Sequence, residues 1–564
     1  MLSFYATLKP RLLKQLPFQS VMELTLTFAT AAVALSATLV VLALSSVVWQ
    51  RCLRGQRKKS LNLPPGPRGW PVVGSLGLLA GALPPHRALA ALASRHGAPL
   101  MHLRLGSFHA VVASTAEAAR LVLRTHDLAF ATRPPTAFGE ILAYGYKGIL
   151  QTPYGPYWRM ARRLCAAELF SPRRVDAFEP VRAQQMRALT RGLFESAAAG
   201  DAAVEVRERL LGHTMRNILR MAVGDKWSGC YGSEEGEAFR RALGEAFAVA
   251  GAVSSAGEWV PWLGKLDVQG FLRRMRRVHV LFDRFLEQIL VEHERDIQER
   301  DGEYVARDLV DVLLSQLCES EQREEEGQEE ARLTRDGVKA IIQDVIAGGT
   351  ETGAVTVEWA MAELLRHPEA MAAAAGELDR VVGRDRWPTE RDLPALPYVE
   401  AVLKETMRLH PVAPLLFPRC AREDTAVGGG YDVPAGARVL VNVWAVARDP
   451  AWWPDAPGEF RPERFLAGGG AAEGVDVRGA HFQLLPFGSG RRMCPAYGLA
   501  MKAMAAALAN LVHGFSWRLP EGVAPEDVSM EESFGLSMCL KKPLVAVPVP
   551  RLPAHLYTAV VGDD

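Results

Sequence analysis

The chain has 564 residues, of which 49% are hydrophobic, and its 65 Lys and Arg nearly balance its 64 Asp and Glu. A balanced charge argues against a nucleic-acid-binding surface. Length alone suggests roughly three or four domains, but no repeat, long linker or compositional break supports that division. The seven cysteines are scattered and odd in number, which argues against a disulfide framework or zinc site and fits a reducing compartment.

The segment Leu24–Trp49 carries no charged side chain and is long enough to span a bilayer with some tilt. Five basic residues follow between Arg51 and Lys59, and by the positive-inside rule they keep this flank and the rest of the chain in the cytosol. The apolar segment is longer than the core of a typical signal peptide. We therefore expect a retained single-pass anchor rather than a cleaved signal.

Residues 1–21 form an unusual start, because Lys9, Arg11 and Lys14 precede the apolar segment without an acidic partner. Met22 stands directly before Glu23, and a start there would leave a compact signal anchor. We interpret residues 1–21 as an N-terminal extension, either a start-site artefact or dispensable, with a plastid transit peptide as the alternative. The anchor is then residues 22–50.

A basic and proline-rich hinge follows over residues 51–67. Its end, Leu63–Pro67, reads L-P-P-G-P, and these prolines force extended backbone. Short apolar runs around Gly106 predict a small sheet over Pro99–Val112, and a loop region is predicted from Phe130 to about residue 155.

Trp158 and Arg162 lie four residues apart in a helical pattern, so they share one helix face. Taken alone, this is an aromatic–arginine pair on an amphipathic helix. A run of helices is predicted over residues 171–318. The acidic, Gly-interrupted segment Glu319–Arg332 predicts a solvated loop.

The longest helical pattern runs from Thr334, a candidate cap, to Arg366, and His367-Pro368 ends it. Its centre, residues 347–353, reads A-G-G-T-E-T-G. Each glycine inside a helix costs about 1 kcal/mol relative to alanine, which suggests a purpose. We expect the glycines to let a flat cofactor lie against the helix and a local break to admit water. Glu351 and Thr352 then supply a carboxylate and a hydroxyl. A kinked core helix is the alternative.

Glu405 and Arg408 stand three residues apart in K-E-T-M-R-L-H-P and can pair on one helix, although an exposed pair would contribute little. Arg464 lies in a second segment, P-G-E-F-R-P-E-R-F. Between these segments, residues 412–419 read V-A-P-L-L-F-P-R.

Pro486–Ala496 reads P-F-G-S-G-R-R-M-C-P-A and precedes an apolar helix predicted from about Ala496 to His513. We place Pro495 in the first helical turn, which puts the Cys494 sulfur at the positive end of the helix. That position is expected to lower the pKa of the thiol and favour thiolate.

Gly488 and Gly490 allow the backbone of this loop to bend and approach a flat ligand. Arg491 and Arg492 bring positive charge suited to acidic groups on that ligand. A buried, inert cysteine is the alternative reading of Cys494.

These segments together resemble the cytochrome P-450 superfamily of haem-thiolate monooxygenases, in which the loop cysteine is the proximal iron ligand. The resemblance covers residues 63–555, and the motifs occur in the family's order. Two positions depart from the family pattern. Ala496 replaces the usual Gly, and Gly353 stands where Ser or Thr is common.

The resemblance implies a role for each matching residue. Cys494 is the axial ligand of the iron of haem b, and Thr352 and Glu351 hydrogen-bond bound oxygen and bring protons to it. The residues expected to bind the haem propionates are Trp158, Arg162, Arg419 and Arg492. The residues expected to form a buried structural network that holds the Cys494 loop are Glu405, Arg408 and Arg464. Residues 412–419 resemble the strand that crosses the haem.

The fold class implied is mainly α with small β-sheets, that is, the cytochrome P-450 fold preceded by one transmembrane helix. The haem-thiolate catalytic domain spans residues 68–555 and a C-terminal tail spans residues 556–564. No flavin- or nicotinamide-binding motif is evident. The resemblance therefore implies electrons from an NADPH–cytochrome P-450 reductase and attachment to the endoplasmic reticulum membrane, with the catalytic domain in the cytosol.

The residues within these motifs resemble those of plant microsomal members of the family that hydroxylate flavonoids, phenolics, terpenoids or steroids. V-D-V-R-G at 475–479 and V-V-A-S at 111–114 resemble flavonoid 3'-hydroxylases. Pro495-Ala496 instead resembles a neighbouring group that includes enzymes that cleave terpene alcohols to homoterpenes and steroid hydroxylases, so the substrate stays open. A reductase-independent isomerase or dehydratase and a non-catalytic scaffold are further alternatives. The pocket is expected among residues 133–150, 341–350, 412–417 and 534–538.

Overall fold

A computed structural model describes residues 61–559 apart from 80, 82, 201–202, 229–233, 251–255, 265, 268, 300–305, 326–331 and 471, together with residues 35, 38 and 45. Apart from those last three residues, the predicted anchor and its basic flank lie outside the described residues. Within the described part, no helix is long and apolar enough to cross a membrane.

Helices dominate the described chain, as predicted. They are α1 Pro85–Arg95, α2 Ala116–Arg120, α3 Ala137–Ile141, α4 Pro156–Glu168, α5 Pro172–Ala177, α6 Glu179–Ala198, α7 Val206–Val223, α8 Asp225–Ser228, α9 Glu234–Ala250, α10 Ala256–Trp259, α11 Pro261–Gly264, α12 Phe271–Glu299, α13 Leu309–Glu325, α14 Arg335–Arg366, α15 Pro368–Val381, α16 Pro397–Leu409, α17 Val443–Val446, α18 Tyr497–Gly514 and α19 Ala554–Thr558.

The strands are short and form small sheets. They are β1 Leu100–Leu105, β2 Phe108–Ala113, β3 Val204–Glu205, β4 Arg419–Cys420, β5 Thr425–Val427, β6 Tyr431–Val433, β7 Arg438–Val441, β8 Phe515–Arg518, β9 Glu532–Ser533, β10 Cys539–Leu540 and β11 Val545–Pro550. The largest sheet has the order β1-β2-β7-β4, in which β2 and β7 are parallel and the other neighbours antiparallel. The predicted sheet around Gly106 is the β1–β2 hairpin.

Helix α14 lies at the centre of the molecule, because it is apolar around most of its circumference and buries most of its side chains. The hydroxyl of Thr334 accepts the Gly337 N–H at 3.2 Å and caps the helix, as predicted. The helix ends at Arg366, before His367-Pro368, because a proline disfavours helical backbone at the preceding residue. Its middle packs against α7 and against α18, the helix that follows Cys494.

Three local predictions are wrong. Helix α13 continues through the acidic residues to Glu325, where a loop was expected from Glu319. Of the predicted strand 412–419, only Arg419 joins a ladder, since the prolines at 414 and 418 cannot donate to one. Helix α18 begins at Tyr497 after an Ala496 cap position, so Pro495 lies before the helix rather than in its first turn.

Candidate active site

The loop that carries Cys494 is closed by its own backbone. The Cys494 N–H donates to the Phe487 carbonyl at 3.0 Å, and Gly490 has φ +71°. A Cβ on Gly490 would stand 2.3 Å from the Leu123 carbonyl oxygen, so only glycine fits there. The Cys494 side chain is half-buried at the end of the loop.

The thiol of Cys494 does not have the lowered pKa that the sequence suggested. Burial raises this pKa, while the Ala496 N–H and the nearby Arg162 guanidinium oppose the shift. The prediction was wrong in this respect because the dehydration of a charged sulfur outweighs one backbone donor and one cation. The backbone donor itself is present where expected.

Asp127 ties the loop to the rest of the fold, and sequence reasoning missed it. Its carboxylate accepts the backbone N–H of Arg491 at 3.0 Å and the Arg491 side chain at 2.9 Å. Its other oxygen accepts from Arg419 at 2.9 Å, and Arg419 also donates to the Ser489 carbonyl at 2.9 Å. Arg419 is therefore buried beside the loop and paired with an acid.

Trp158, Arg162 and Arg492 come together at the same loop. Arg162 donates to the Met493 carbonyl at 2.6 Å, one residue before Cys494. Arg492 lies over the Trp158 ring, with its guanidinium carbon 4.3 Å from the ring centre. Trp158 donates from its indole N–H to the Ile149 carbonyl at 3.0 Å.

A fourth arginine, Arg133, completes a cationic cluster with Arg162, Arg419 and Arg492, in which Arg133 and Arg419 are buried and the other two half-buried. Arg133 donates to the carbonyls of Leu150, Phe417 and Pro418 at 2.8–3.0 Å. Burial and the three neighbouring guanidinium groups lower the pKa of Arg133, and burial with Arg419 and Arg162 lowers the pKa of Arg492 to about 9. Such a cluster favours a ligand that brings several negative charges.

The middle of α14 leaves one open face toward the interior. Gly348, Gly349 and Thr352 are exposed, although the helix is buried on both sides of them. No atom of another element lies within 4 Å of the place where a Cβ on Gly348 would stand. Gly349 has a different reason to be glycine, since its Cβ would stand 2.6 Å from the side chain of Ile218 on α7.

The predicted break in α14 is absent, because the helix is continuous through residues 347–353. The Thr352 hydroxyl instead donates to the Gly348 carbonyl at 2.7 Å. The carboxyl of Glu351 faces Ser537 and Arg207, and one of its oxygens is buried without a hydrogen bond. Burial raises the pKa of Glu351 to about 7, and the Ser537 hydrogen bond and Arg207 only partly oppose the shift.

These features fit a flat ligand with two acidic groups. The side-chain-free surface of Gly348 offers room for a plane, and four clustered guanidinium groups, two buried and two half-buried, offer donors for carboxylates. The thiol of Cys494 offers a soft ligand for iron. The residues present therefore suit a haem with its two propionates.

A cavity of about 740 Å³ adjoins this region. It is lined by parts of three predicted pocket regions, namely residues 134–146, 413–417 and 534–536, whereas no residue of 341–350 lines it. Its walls also include residues that sequence reasoning missed, among them Phe108, Gln151, Trp259 and Arg438. The cavity reaches Leu416, whose side chain is 3.5 Å from the Cβ position of Gly488.

Glu405, Arg408 and Arg464 form the predicted network, and its hydrogen bonds go to residues 447–461 rather than to the cysteine loop. Glu405 accepts from Arg408 at 2.6 and 2.8 Å and from Arg464 at 2.9 Å, and all three side chains are buried. The remaining donors of the two arginines bind backbone carbonyls of Ala447, Asp455, Ala456, Pro457 and Glu459. The described contacts hold that segment, whereas Asp127 and the cationic cluster hold the cysteine loop.

The comparisons with known proteins give the class to which this fold and site belong. The family described as "Cytochrome P450" matches residues 64–546, so the chain belongs to the cytochrome P450 family. Its cofactor is haem iron, and the protein is a cytochrome P450 monooxygenase.

Particular relatives narrow this class. A dimethylnonatriene synthase of Zea mays is 70% identical over 95% of this chain and 100% of its own length. A trimethyltridecatetraene synthase of Zea mays is 71% identical over 89% and 91%. A flavonoid 3'-monooxygenase of Petunia hybrida is 42% identical over 89% and 95%. A zebra fish cytochrome P450 solved with progesterone superposes with a TM-score of 0.68 at 27% identity, over 83% of this chain and 100% of its own.

Proposed function

We propose that this enzyme cleaves a carbon–carbon bond of an acyclic terpene alcohol and releases a homoterpene. The observation that carries the proposal is the similarity to both homoterpene-named relatives along nearly the whole chain, far above that to the flavonoid enzyme. The dipeptide Pro495-Ala496 also resembles the group that contains homoterpene-forming enzymes more closely than it resembles flavonoid 3'-hydroxylases.

The two product names indicate the bond that breaks. Dimethylnonatriene has eleven carbons and trimethyltridecatetraene has sixteen, each four fewer than a terpene of fifteen or twenty carbons. A fifteen-carbon tertiary allylic alcohol, C15H26O, with O2, NADPH and H⁺ gives C11H18, the ketone C4H6O, NADP⁺ and two H2O. The substrate loses two electrons and NADPH supplies two, and together they reduce O2 to water.

The cavity suits such a substrate. Its walls are mainly apolar, including Leu89, Phe108, Phe138, Leu415 and Phe534. Burial of hydrocarbon against such walls contributes about 25 cal/mol per Å². A flavonoid carries several hydroxyl groups, and each would need a partner or leave a buried polar atom unpaired.

We assign the site residues as follows. Cys494 ligates the haem iron, and the cationic cluster with Trp158 holds the propionates. The bound haem supplies the oxygen-activating chemistry. Thr352 presents its hydroxyl on the open face of α14, and Glu351, with a pKa of about 7, can hold or release a proton where its carboxyl faces Ser537.

We further propose that an N-terminal single-pass anchor holds this chain on the endoplasmic reticulum membrane and that an NADPH–cytochrome P-450 reductase on the same membrane supplies the electrons. The domain boundaries proposed are residues 22–50 for the anchor, 51–67 for the hinge, 68–555 for the catalytic domain and 556–564 for the tail. The uncharged segment Leu24–Trp49 and the five basic residues that follow it between Arg51 and Lys59 support this proposal.

Two variants separate the roles at the site. Cys494→Ala is expected to lose the ferrous–CO absorption band of thiolate-ligated haem together with activity. Thr352→Ala is expected to keep that band and consume more NADPH per product. Normal turnover of Cys494→Ala would refute the ligand assignment, and unchanged coupling in Thr352→Ala would remove the role of the hydroxyl.

The function itself is tested in microsomes that co-express the full chain with a plant reductase. Nerolidol, an acyclic fifteen-carbon tertiary alcohol, is supplied in one reaction and naringenin in another, with mass spectrometry as the readout. An eleven-carbon triene from nerolidol supports the proposal. A naringenin product heavier by one oxygen, without any triene, would instead support flavonoid hydroxylation, and turnover without NADPH would support an isomerase.

A further inference from the structure

Gln151 is a buried amide in the wall of the substrate cavity. The residue is 7% exposed and lines the cavity between the cysteine-loop region and the 413–418 segment. Its side chain makes no hydrogen bond to any residue that the structure describes. An amide carries two donors and an acceptor, so this amide has donors and an acceptor to offer a ligand that enters the cavity.

The backbone on both sides of Gln151 is held in place. The Asp344 carboxylate accepts the N–H of Ile149 at 2.7 Å and of Leu150 at 2.9 Å. The Leu150 carbonyl accepts from Arg133 at 3.0 Å, and the Thr152 carbonyl accepts from Arg492 at 2.5 Å.

The same arginines that suit the haem propionates thus fix the position of Gln151. This amide is therefore pre-organised beside the proposed haem site, which reduces the entropy cost of using it to bind a ligand.

Several other polar side chains of the cavity wall already have partners. Glu258 and Arg438 pair with each other at 3.3 Å, and the Tyr146 hydroxyl donates to the Thr136 carbonyl at 2.8 Å. Asp267 accepts the backbone N–H of Leu272 at 3.0 Å. A substrate hydroxyl that entered the cavity would compete with these contacts, whereas it could bind Gln151 without breaking one.

We propose that the Gln151 side chain binds the hydroxyl group of the terpene alcohol substrate. The amide oxygen accepts a hydrogen bond from the alcohol O–H, and the amide N–H₂ donates to the alcohol oxygen when the ligand is tilted toward it. This contact places the carbinol carbon at the haem end of the cavity, with the hydrocarbon chain along the apolar walls. The inference rests on the proposed function for the identity of the ligand.

The test measures equilibrium dissociation constants of the purified haem-loaded enzyme for two ligands. One is nerolidol and the other is the matching hydrocarbon in which hydrogen replaces the hydroxyl. Wild type is expected to bind the alcohol more tightly than the hydrocarbon. In Gln151→Met, which keeps the length of the side chain, the alcohol should bind roughly tenfold more weakly while the hydrocarbon changes less than about twofold.

Gln316→Met makes the same substitution on α13, where the amide donates to Glu319 at 3.0 Å, and should leave both constants unchanged. Equal weakening for both ligands in Gln151→Met would show a packing role and overturn the inference. An absence of alcohol preference in wild type would overturn it as well, and this comparison does not depend on any variant folding. Gln151→Leu provides a second apolar replacement.

Product analysis of the same preparations separates this inference from the proposed function. Triene formation by wild type, with an unchanged alcohol-to-hydrocarbon ratio in Gln151→Met, overturns the role of Gln151 and leaves the function standing. Absence of the triene, with a ratio that still depends on Gln151, overturns the function and leaves an alcohol-binding amide.

Discussion

Glu351 and Thr352 are neighbours in sequence, yet α14 directs them to different surroundings, because successive helical residues are about 100° apart. Thr352 lies on the open face, whereas Glu351 reaches Ser537 and Arg207. Burial gives Glu351 a pKa near neutrality, which is the range in which a carboxyl exchanges protons efficiently at cellular pH.

The raised pKa of Glu351 predicts a dependence of stability on pH. The folded state binds this proton more tightly than the unfolded chain, whose ordinary value is 4.5. The contribution of Glu351 is therefore fully present below that value and is lost as pH rises to about 7. Glu351→Gln should equal wild type near pH 4 and exceed its free energy of unfolding by up to about 3 kcal/mol near pH 8, measured by thermal unfolding.

Glu526→Gln, at an exposed position, is the control and should show no such dependence. A Glu351→Gln variant that gains nothing at pH 8 would mean that Glu351 is ionised without penalty in the folded protein.

Single residues were predictable where a local motif carried them. Trp158 and Arg162 belong to one short motif and Arg492 belongs to another. The structure brings these three residues together at the cysteine loop. Asp127, Arg133 and Gln151 were not predictable, because their roles depend on contacts with residues far away in sequence. Asp127, for example, meets Arg419 across 292 positions.

At the scale of elements, helix α16 is joined to the segment before the cysteine loop through Glu405. This carboxylate also accepts the Arg461 N–H at 2.9 Å, so one acid serves two guanidinium groups and the backbone. Loss of one partner in a buried ion network leaves uncompensated charge.

Glu405→Ala is expected to lower the free energy of unfolding by about 3–5 kcal/mol, because Arg408 and Arg464 would lose their buried counter-ion. Urea unfolding of the haem-loaded protein measures this loss. Glu400→Ala on the same helix removes an exposed carboxylate that pairs with the half-buried Lys404 at 2.9 Å and should cost at most about 1 kcal/mol. Similar effects of the two substitutions would contradict a special role of the buried network.

A second link joins the short helix α10 to the large sheet. Arg438 of β7 lies between the rings of Phe108 and Trp259, with its guanidinium carbon 4.4 and 4.3 Å from their centres, and pairs with Glu258. Gly106 permits this approach, since a Cβ there would stand 2.1 Å from the Trp259 carbonyl oxygen.

Glu258→Gln and Arg438→Met are expected to be coupled, because each leaves the other group buried without its charge partner. A double-mutant cycle on the free energy of unfolding should give a coupling of at least about 1 kcal/mol. Arg438→Lys should keep only part of this coupling free energy, since lysine lacks the planar group that stacks between two rings. Strictly additive effects would show that the two residues do not stabilise each other.

Helices with a clear pattern of apolar residues were predicted well. Segments whose backbone conformation depends on packing against distant residues were not. The length and cap of α14 followed from its apolar pattern and Thr334. The family resemblance predicted a strand over residues 412–419, yet Leu416 adopts φ +48° and residues 413–418 line the cavity instead. Its shape depends on partners such as Arg133, which no local pattern reveals.

At the scale of the whole molecule, the proline-rich segment before the catalytic part lies against the first sheet. The His102 N–H donates to the Pro65 carbonyl at 3.0 Å, and a Cβ on Gly66 would stand 1.9 Å from the His102 carbonyl oxygen. The proposed hinge therefore enters the globular part along β1. This contact would fix where an anchor joins the catalytic domain.

The surface near Cys494 is basic, because Arg159, Arg163 and Arg491 are exposed there. An acidic face of a reductase would be attracted to this surface. Charge reversal in Arg159→Glu with Arg163→Glu should raise the KM for reductase and reduce its dependence on salt, with kcat less affected. The exposed Arg518→Glu is the control, and an unchanged KM in the double variant would place the docking surface elsewhere.

The family, its cofactor and the monooxygenase class could be predicted from the order of the motifs along the chain, whereas the substrate could not. The cavity size and the free amide of Gln151 depend on packing among segments 134–151, 256–275, 413–418 and 534–536. The similarity to homoterpene-forming relatives is what narrows the reaction.

The most direct test of the account is the mass balance of nerolidol turnover by the full chain with reductase, O2 and NADPH. Gas chromatography with mass spectrometry would quantify the eleven-carbon triene and the four-carbon ketone. The account predicts both products in equal amounts, with one NADPH consumed per molecule cleaved when coupling is complete. A fifteen-carbon product with one added oxygen, and no triene, would contradict carbon–carbon cleavage as the function of this enzyme.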